Sequence, residues 1–410
     1  MAKEMRNSGI QWIGEIPSTW NTVRFKYLHN GLNTGEAIDK EFWSKEESDL
    51  VFYTAGLTPI RTKYLDFPLW KFTQANDILL ARNGTPYVYF PTVGACYTDH
   101  IIRASMKQNV NRRFVQYALQ QSIASVVVDS VSIATWSASL WNAQYLPWPT
   151  EEEQNRIVDF LDHKCAEIDS VIADTQRTIE EYKKLKQTII TEAVTKGIRS
   201  ERPMKDSGIE WIGEIPEDWD IKKGKWILSL LDQPVFQDDG VITCFRDGEV
   251  TLRSKRREDG FTISLQEAGY QGINVGDLVV HGMDGFAGAI GISDSRGKGT
   301  PVLNVLDSTQ NKRYIMYYLR SMAYNGVFLA LATGIRVRSC DTNWNKLKEL
   351  PYPKPSIDEQ EELASFIDNK IHLLDELIEK KETLRIELEN YKKSVIYEYV
   401  TGKKEVPTCQ

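Results

Sequence analysis

Residues 8–17, Ser-Gly-Ile-Gln-Trp-Ile-Gly-Glu-Ile-Pro, return at 207–216 with one change in ten, Gln11 to Glu210. Trp20 and Trp219 extend the match at the same offset of 199. Two tryptophans per copy put the match beyond coincidence, so the chain is one unit written twice. A second block repeats at an offset of 206: Glu153-Gln154 with Glu359-Gln360, Asp162 with Asp368, Asp169 with Asp375, and Val194-Thr195 with Val400-Thr401. An offset that stays constant over some forty residues suits a continuous helix, where one inserted residue would turn every later side chain by about 100°.

Between the blocks the copies diverge but keep an outline. Asn76-Asp77-Ile78-Leu79-Leu80 parallels Gly276-Asp277-Leu278-Val279-Val280, and Arg113-Phe114-Val115-Gln116-Tyr117 parallels Arg313-Tyr314-Ile315-Met316-Tyr317. The runs 77–81 and 277–281 read as strands, the stretches 111–122 and 311–323 as amphipathic helices, and Gly282–Gly291 as turns. Each module is therefore an α+β unit. Such a pattern fits one kind of job done on two different targets.

The blocks after Pro149 and Pro355 read as long helices of about 45 residues. Thr150 and Ser356 each precede a glutamate by three residues, a capping-box start. Ile168, Val171, Thr175, Thr178, Tyr182, Leu185 and Ile189 fall on alternating three- and four-residue steps. In the second copy the line is Leu374, Leu377, Lys381, Leu384, Leu388, Tyr391 and Val395. Both spell an a/d seam, with Thr175, Thr178 and Lys381 as imperfect core positions. Two such helices in one chain most simply pack on each other antiparallel; alternatively each seam takes a helix of another subunit. The expected architecture is two globular modules, 1–150 and 200–355, and two long helical segments, 151–199 and 356–410, forming an antiparallel coiled coil with pseudo-twofold repetition.

A chain of 410 residues carrying 26% charged residues suits a soluble globular protein of two or three domains. Five scattered cysteines form no CxxC, no apolar run approaches a membrane span, and no signal peptide opens the chain, so a reducing cytoplasm is expected. The net charge of −7 announces no nucleic-acid binder. The acidity lies in the helices: residues 8–150 hold 12 basic against 11 acidic groups, and 207–355 hold 18 against 19. A neutral module still presents a basic face if its charges segregate. Arg253, Lys255, Arg256 and Arg257 place four cations in five residues, and Arg336 and Arg338 are spaced to share one face of a strand. Arg61, Lys63, Arg82, Arg112 and Arg113 are the first module's scattered cations. Of these, Arg61, Lys63 and Arg82 join the second module's six as candidate DNA contacts, since such side chains bind phosphates and arginine reads guanine. Solvated surface charge is the plain alternative.

No catalytic constellation is present. The Gly-Lys near 297 lacks P-loop spacing, and the run Gly285-Phe-Ala-Gly-Ala-Ile-Gly has no βαβ context, so its glycines read as turn residues. The histidines form no metal pair; His100 and His281 read as structural or surface groups. There is no GxSxG elbow and no Asp/Asn-Pro-Pro-aromatic motif.

The layout resembles the specificity subunit of type I restriction–modification systems over essentially the whole chain. The resemblance rests on Trp12–Pro17 with Trp20 and their copies at Trp211–Trp219, on 149–154 and 355–360 opening the helices, and on 192–197 and 398–403 closing them. It implies a non-catalytic chain that holds no cofactor and reads an asymmetric, two-part site in double-stranded DNA, one part per target recognition domain. The helices would fix the spacer and dock two modification subunits, and restriction subunits would join. The assembly would be an adenine-specific methyltransferase and endonuclease, with S-adenosylmethionine in the modification partner and ATP and Mg in the restriction partner. The competing reading of the residues alone is a coiled-coil scaffold with two protein- or glycan-binding modules.

Overall fold

The computed structural model describes residues 4–83, 86–124, 135–256, 268–331 and 342–407. The chain divides into two compact units, Met1–Thr175 with Thr383–Gln410, and Gln176–Glu382. Each unit thus holds one module and part of each long helix. Among the described residues no helix is long and apolar enough to cross a membrane.

The first unit is centred on an antiparallel four-stranded sheet in the order His29–Thr34, Ile101–Met106, Asp77–Ala81, Val88–Tyr89. The second unit has the same sheet in the order Leu228–Leu230, Leu303–Ser308, Leu278–His281, Ile290–Ile292. The strand expected at 77–81 spans those residues, and its counterpart begins one residue late, at Leu278. The first is buried along its length and the second up to the partly exposed His281, so their apolar side chains alternate between two layers. Ile78 and Leu80 pack under the helix Arg112–Ala124, while Leu79 and Ala81 face a second layer. In the second unit Leu278 and Val280 meet the helix Lys312–Tyr324, and Val279 faces the other way. Asn111 and Asn311 cap these helices by accepting from the two following turn amides.

The second layer is where the units part. In the first it is a four-stranded sheet, Cys96–Tyr97, Leu50–Tyr53, Ile60–Thr62, Trp43–Ser44, with one parallel pairing. In the second it is two two-stranded pairs, the hairpin Ile242–Cys244 with Val250–Leu252 and the longer-range pair Gln271–Ile273 with Gly297–Gly299.

The repeated Trp-Ile-Gly-Glu-Ile-Pro segment is a tight turn running into a short strand, Glu15–Pro17 or Glu214–Pro216. Gly14 and Gly213 both have positive φ, 67° and 68°, a conformation that a side chain disfavours. The turn delivers Trp20 and Trp219 into the cores, where both are nearly fully buried.

The long helices run Glu151–Lys196 and Ile357–Val400. Thr150 and Ser356 cap the amides of Glu153 and Glu359 as expected. Each of these glutamates accepts the indole N–H of Trp20 or Trp219. Within each unit the helix segments lie antiparallel. Asp169 pairs with Lys392 in the first unit, and Lys186 with Asp375 in the second.

The buried stripe corrects half of the expected seam. Ile168, Tyr182 and Ile189 face inward, as do Leu374, Leu388 and Val395. Val171 and Leu185 are instead 48% and 44% exposed, and Leu377, Leu384 and Tyr391 are exposed too. The inward positions between them fall one residue later, at Cys165, Ile172, Ile179 and Lys186, and at Ile371, Ile378, Arg385 and Lys392. Lys186 and Lys392 satisfy this phase by laying their stems along the stripe and their ammonium groups on aspartates at its edge. Because that phase puts lysine and arginine on the inner line, apolar periodicity alone selects the neighbouring one.

Candidate nucleic-acid interface

The cationic run of the second unit forms a four-residue helix, Arg253–Arg256, after the strand Val250–Leu252. Its charges are engaged with neighbours. Arg253 donates Nε–H to Thr243 at 2.9 Å. Lys255 meets Asp294 and donates to Ser295 at 2.6 Å. Arg256 chelates Asp247 at 2.6 and 3.0 Å, reaches Glu249 at 2.8 Å, and lies over the Phe245 ring. The hydrogen bond to Asp247 raises the Arg256 pKa. Burial pushes the Asp247 carboxyl up, but its bonds to Arg256 and to the Glu249 amide hold it below the usual range. Arg257, Arg336 and Arg338 lie outside the described residues.

In the first unit Arg61 sits on the strand Ile60–Thr62 and donates to the Asp49 carbonyl at 3.0 Å. Lys63 follows that strand, and Arg82 follows the central strand Asp77–Ala81; both are exposed. Arg112 and Arg113 are structural: Arg112 donates to the Asp77 carbonyl, and Arg113 binds Asp162 on the long helix. The first unit's candidates are thus on two layers, while those described in the second are on one short helix.

That helix forms one wall of a cleft of about 660 Å³. The cleft lies at the C-terminal end of the central strand Leu278–His281 and is lined by Thr243, Arg246, Arg253, His281 and Asp284 among others. Asp284 holds Arg246 at 2.9 Å. His281 accepts the backbone amides of Asp284 and Met283 on Nδ1, at 3.0 and 3.3 Å. Burial lowers the His281 pKa, so the ring is neutral near pH 7 and its proton resides on Nε2. Cys244, also in the cleft wall, has its thiol pushed up to about 12 by burial and is inert. Of the glycines of 285–291, expected as turn residues, Gly285 and Gly288 do bound a short 3-10 turn, whereas Gly291 lies in the strand Ile290–Ile292 as a packing position. A side chain at Gly291 would overlap the Gly248 carbonyl, and Gly288, at φ 95°, abuts the Arg246 carbonyl. Among the described residues no three His, Cys, Asp or Glu side chains group as metal ligands.

No family model matches the chain. It is 22% identical to a type I restriction enzyme specificity subunit, MjaVIII, of Methanocaldococcus jannaschii, over 82% of this chain and 78% of that one. A second protein of that organism, named as a putative type I restriction enzyme specificity subunit, MjaX, is 23% identical over 72% of this chain and 67% of its own. The chain is thus similar to type I restriction enzyme specificity subunits over most of its length. A solved chain from a study of assembly and conformational transition in a type I R-M system shares the fold, with a TM-score of 0.65 at 12% identity over 95% of this chain and 99% of that one.

His281, Asp284 and Arg246 are not legible as a group in the sequence, because they come from a strand end, a loop and a hairpin. One signal was available. Aligning the copies on Asp77 and Asp277 sets Ala81-Arg82-Asn83 against His281-Gly282-Met283, so polar chemistry changes where the strand before it does not.

Proposed function

We propose that each module, 1–150 and 200–355, reads one half of an asymmetric bipartite site in double-stranded DNA. The helical segments 151–199 and 356–410 fix the spacer between the halves and dock two modification subunits. The chain selects the site and performs no chemistry. Base methylation, which requires the base to leave the stack, belongs to the modification partner with its S-adenosylmethionine. Cleavage and ATP- and Mg-dependent steps belong to restriction subunits. Arg61, Lys63 and Arg82, and in the second module Arg253, Lys255, Arg257, Arg336 and Arg338, are the proposed DNA-facing cations, whereas Arg256 is held in the fold by Asp247 and Glu249.

One observation carries this reading. The two units repeat the same sheet, helix and tryptophan turn, yet differ in the second layer and in the polar residues at the central strand's end. A common frame with divergent surfaces suits readers of two different sequences. The test is methylome sequencing of a host expressing this chain with its modification subunit. A motif of two short defined parts around an unspecified spacer is expected. Exchanging 18–148 for the equivalent region of a related chain should change one part only. A change in both parts, or no bipartite motif, overturns the reading.

A further inference from the structure

The cleft beside Arg253 is built for a neutral, polar, planar ligand. Of its five ionisable arginine and aspartate side chains, Arg256 is held by Asp247 and Arg246 by Asp284, which leaves little net charge to attract a phosphate. What remains is directional. His281 spends Nδ1 on two backbone amides, and its Nε2–H has no partner among the described residues. Asp284 offers acceptor oxygens, one already oriented by Arg246. The loop carrying both is locked: Thr342 donates its hydroxyl to the His281 and Gly282 carbonyls, at 2.9 and 3.1 Å, and its amide to the Gly282 carbonyl at 2.9 Å. A fixed donor beside a fixed acceptor is the pattern presented by base edges, not by the DNA backbone.

The repeat adds an independent argument. In the first unit the same strand end pairs Ala81 with Ile101, as His281 pairs with Leu303 in the second. There the polar groups are Arg82 and Asn83, the latter bonded to His100 at 2.7 Å. The position in the fold is kept while the donor–acceptor set is replaced, which is what two readers of different half-sites require.

We propose that this cleft receives a base edge of the second half-site, with His281 Nε2–H donating to a base acceptor and Asp284 accepting from an exocyclic amino group. The assignment rests on the DNA-reading function above and makes His281 a specificity-determining residue. The ligand class is a base-pair edge in duplex DNA.

The test uses the full chain assembled with its modification subunit, with methylome sequencing and competition binding against single-base variants of the recognised site. His281→Asn keeps an acceptor near the Nδ1 position for the loop amides but removes the Nε2–H donor. It should make one position of the second half-site degenerate, with discrimination there falling roughly ten- to hundred-fold. The first half-site and the salt dependence should stay as they are, because no charge is removed. His281→Gln places an amide donor near Nε2 and should retain more of that discrimination. Asp284→Asn, which turns an acceptor into a mixed group, should alter preference in the same half only. An unchanged motif in both His281→Asn and Asp284→Asn, each with a wild-type melting profile, overturns the cleft while leaving bipartite reading intact. Loss of discrimination in the first half-site overturns it as well. A wild-type complex that yields no bipartite motif overturns the functional reading itself, and the cleft with it.

Discussion

Trp20 donates its indole N–H to the Glu153 carboxylate at 3.0 Å, and the same bond recurs at 3.0 Å from Trp219 to Glu359. Each bond ties the turn of one repeated block to the first helical turn of the other. This is why two blocks more than a hundred residues apart repeat together: their partners face each other in the fold. The pairing of Arg113 and Tyr117 with Asp162, matched by Arg313 and Tyr317 with Asp368, fastens the module helix to the long helix in the same way.

Trp219→Phe should cost more stability than Trp20→Phe. Glu359 is buried and also binds Arg202 at 2.5 Å, whereas Glu153 is only half-buried and can turn to water. Losing a charge-assisted bond to a buried carboxylate costs about 1.5–3 kcal/mol, and less where solvent substitutes. Urea denaturation of both variants measures the difference. Equal costs, or none, would show that packing rather than the indole bond holds the turn.

The cations should separate into two behaviours. Arg256 cannot neutralise a phosphate without leaving Asp247 and Glu249, so Arg256→Ala should lower the stability of the second unit and barely change the salt dependence of DNA binding. Lys63 and Arg82 are exposed and carry no ion pair among the described residues. If each contacts a phosphate, replacing it by alanine reduces the log–log salt slope by about 0.9. Titrations at several salt concentrations with the assembled complex distinguish the cases, and a full-sized slope change in Arg256→Ala would contradict the ion-pair assignment.

Asp239 gives the second unit an acid-sensitive contact. Arg296 binds it through Nε at 3.1 Å and Nη2 at 2.9 Å, and these bonds lower its pKa. Because the folded value is depressed, the stabilisation is complete above the ordinary carboxylate range near pH 4 and is lost as pH falls through the lowered value. Asp239→Asn should therefore be less stable at pH 7, by about 1–3 kcal/mol. It should also lose less stability than wild type between pH 4 and 3. Denaturant midpoints across that range check the sign; parallel pH profiles would remove Asp239 from the account.

The frame was legible in the sequence because it is made of local signals and of repetition. Strand 77–81, the helix beginning beside Asn311 and both long-helix starts follow from periodicity and caps, and the constant offset marks the helices as unbroken. The inner stripe of those helices was half misread because Lys186 and Lys392 face inward while Val171 and Leu185 do not, a choice made by aspartates on the facing helix. The cationic run looked free because its counter-charges, Asp247 and Asp294, reach it only through sheet pairing. The cleft was invisible for the same reason, although comparing Ala81 with His281 across the copies points to it.

The long helices should act as the ruler for the spacer. Their inward positions follow a heptad, from Ile168 through Thr175 to Tyr182 on the first and from Leu374 through Lys381 to Leu388 on the second. One seven-residue insertion in each helix, after Thr175 and after Glu382, keeps that stripe in phase and leaves both modules untouched. Seven helical residues add roughly 10 Å, about three base-pair steps of ~3.4 Å. The recognised half-sites should remain the same, while the tolerated spacer lengthens by about three base pairs. Inserting into one helix alone breaks the matching of Asp169 with Lys392 or of Lys186 with Asp375, and should abolish activity rather than shift the spacer. Methylome sequencing of the doubly inserted variant decides the matter: an active variant with the original spacer would mean that the modification subunits, not these helices, set the distance between the halves.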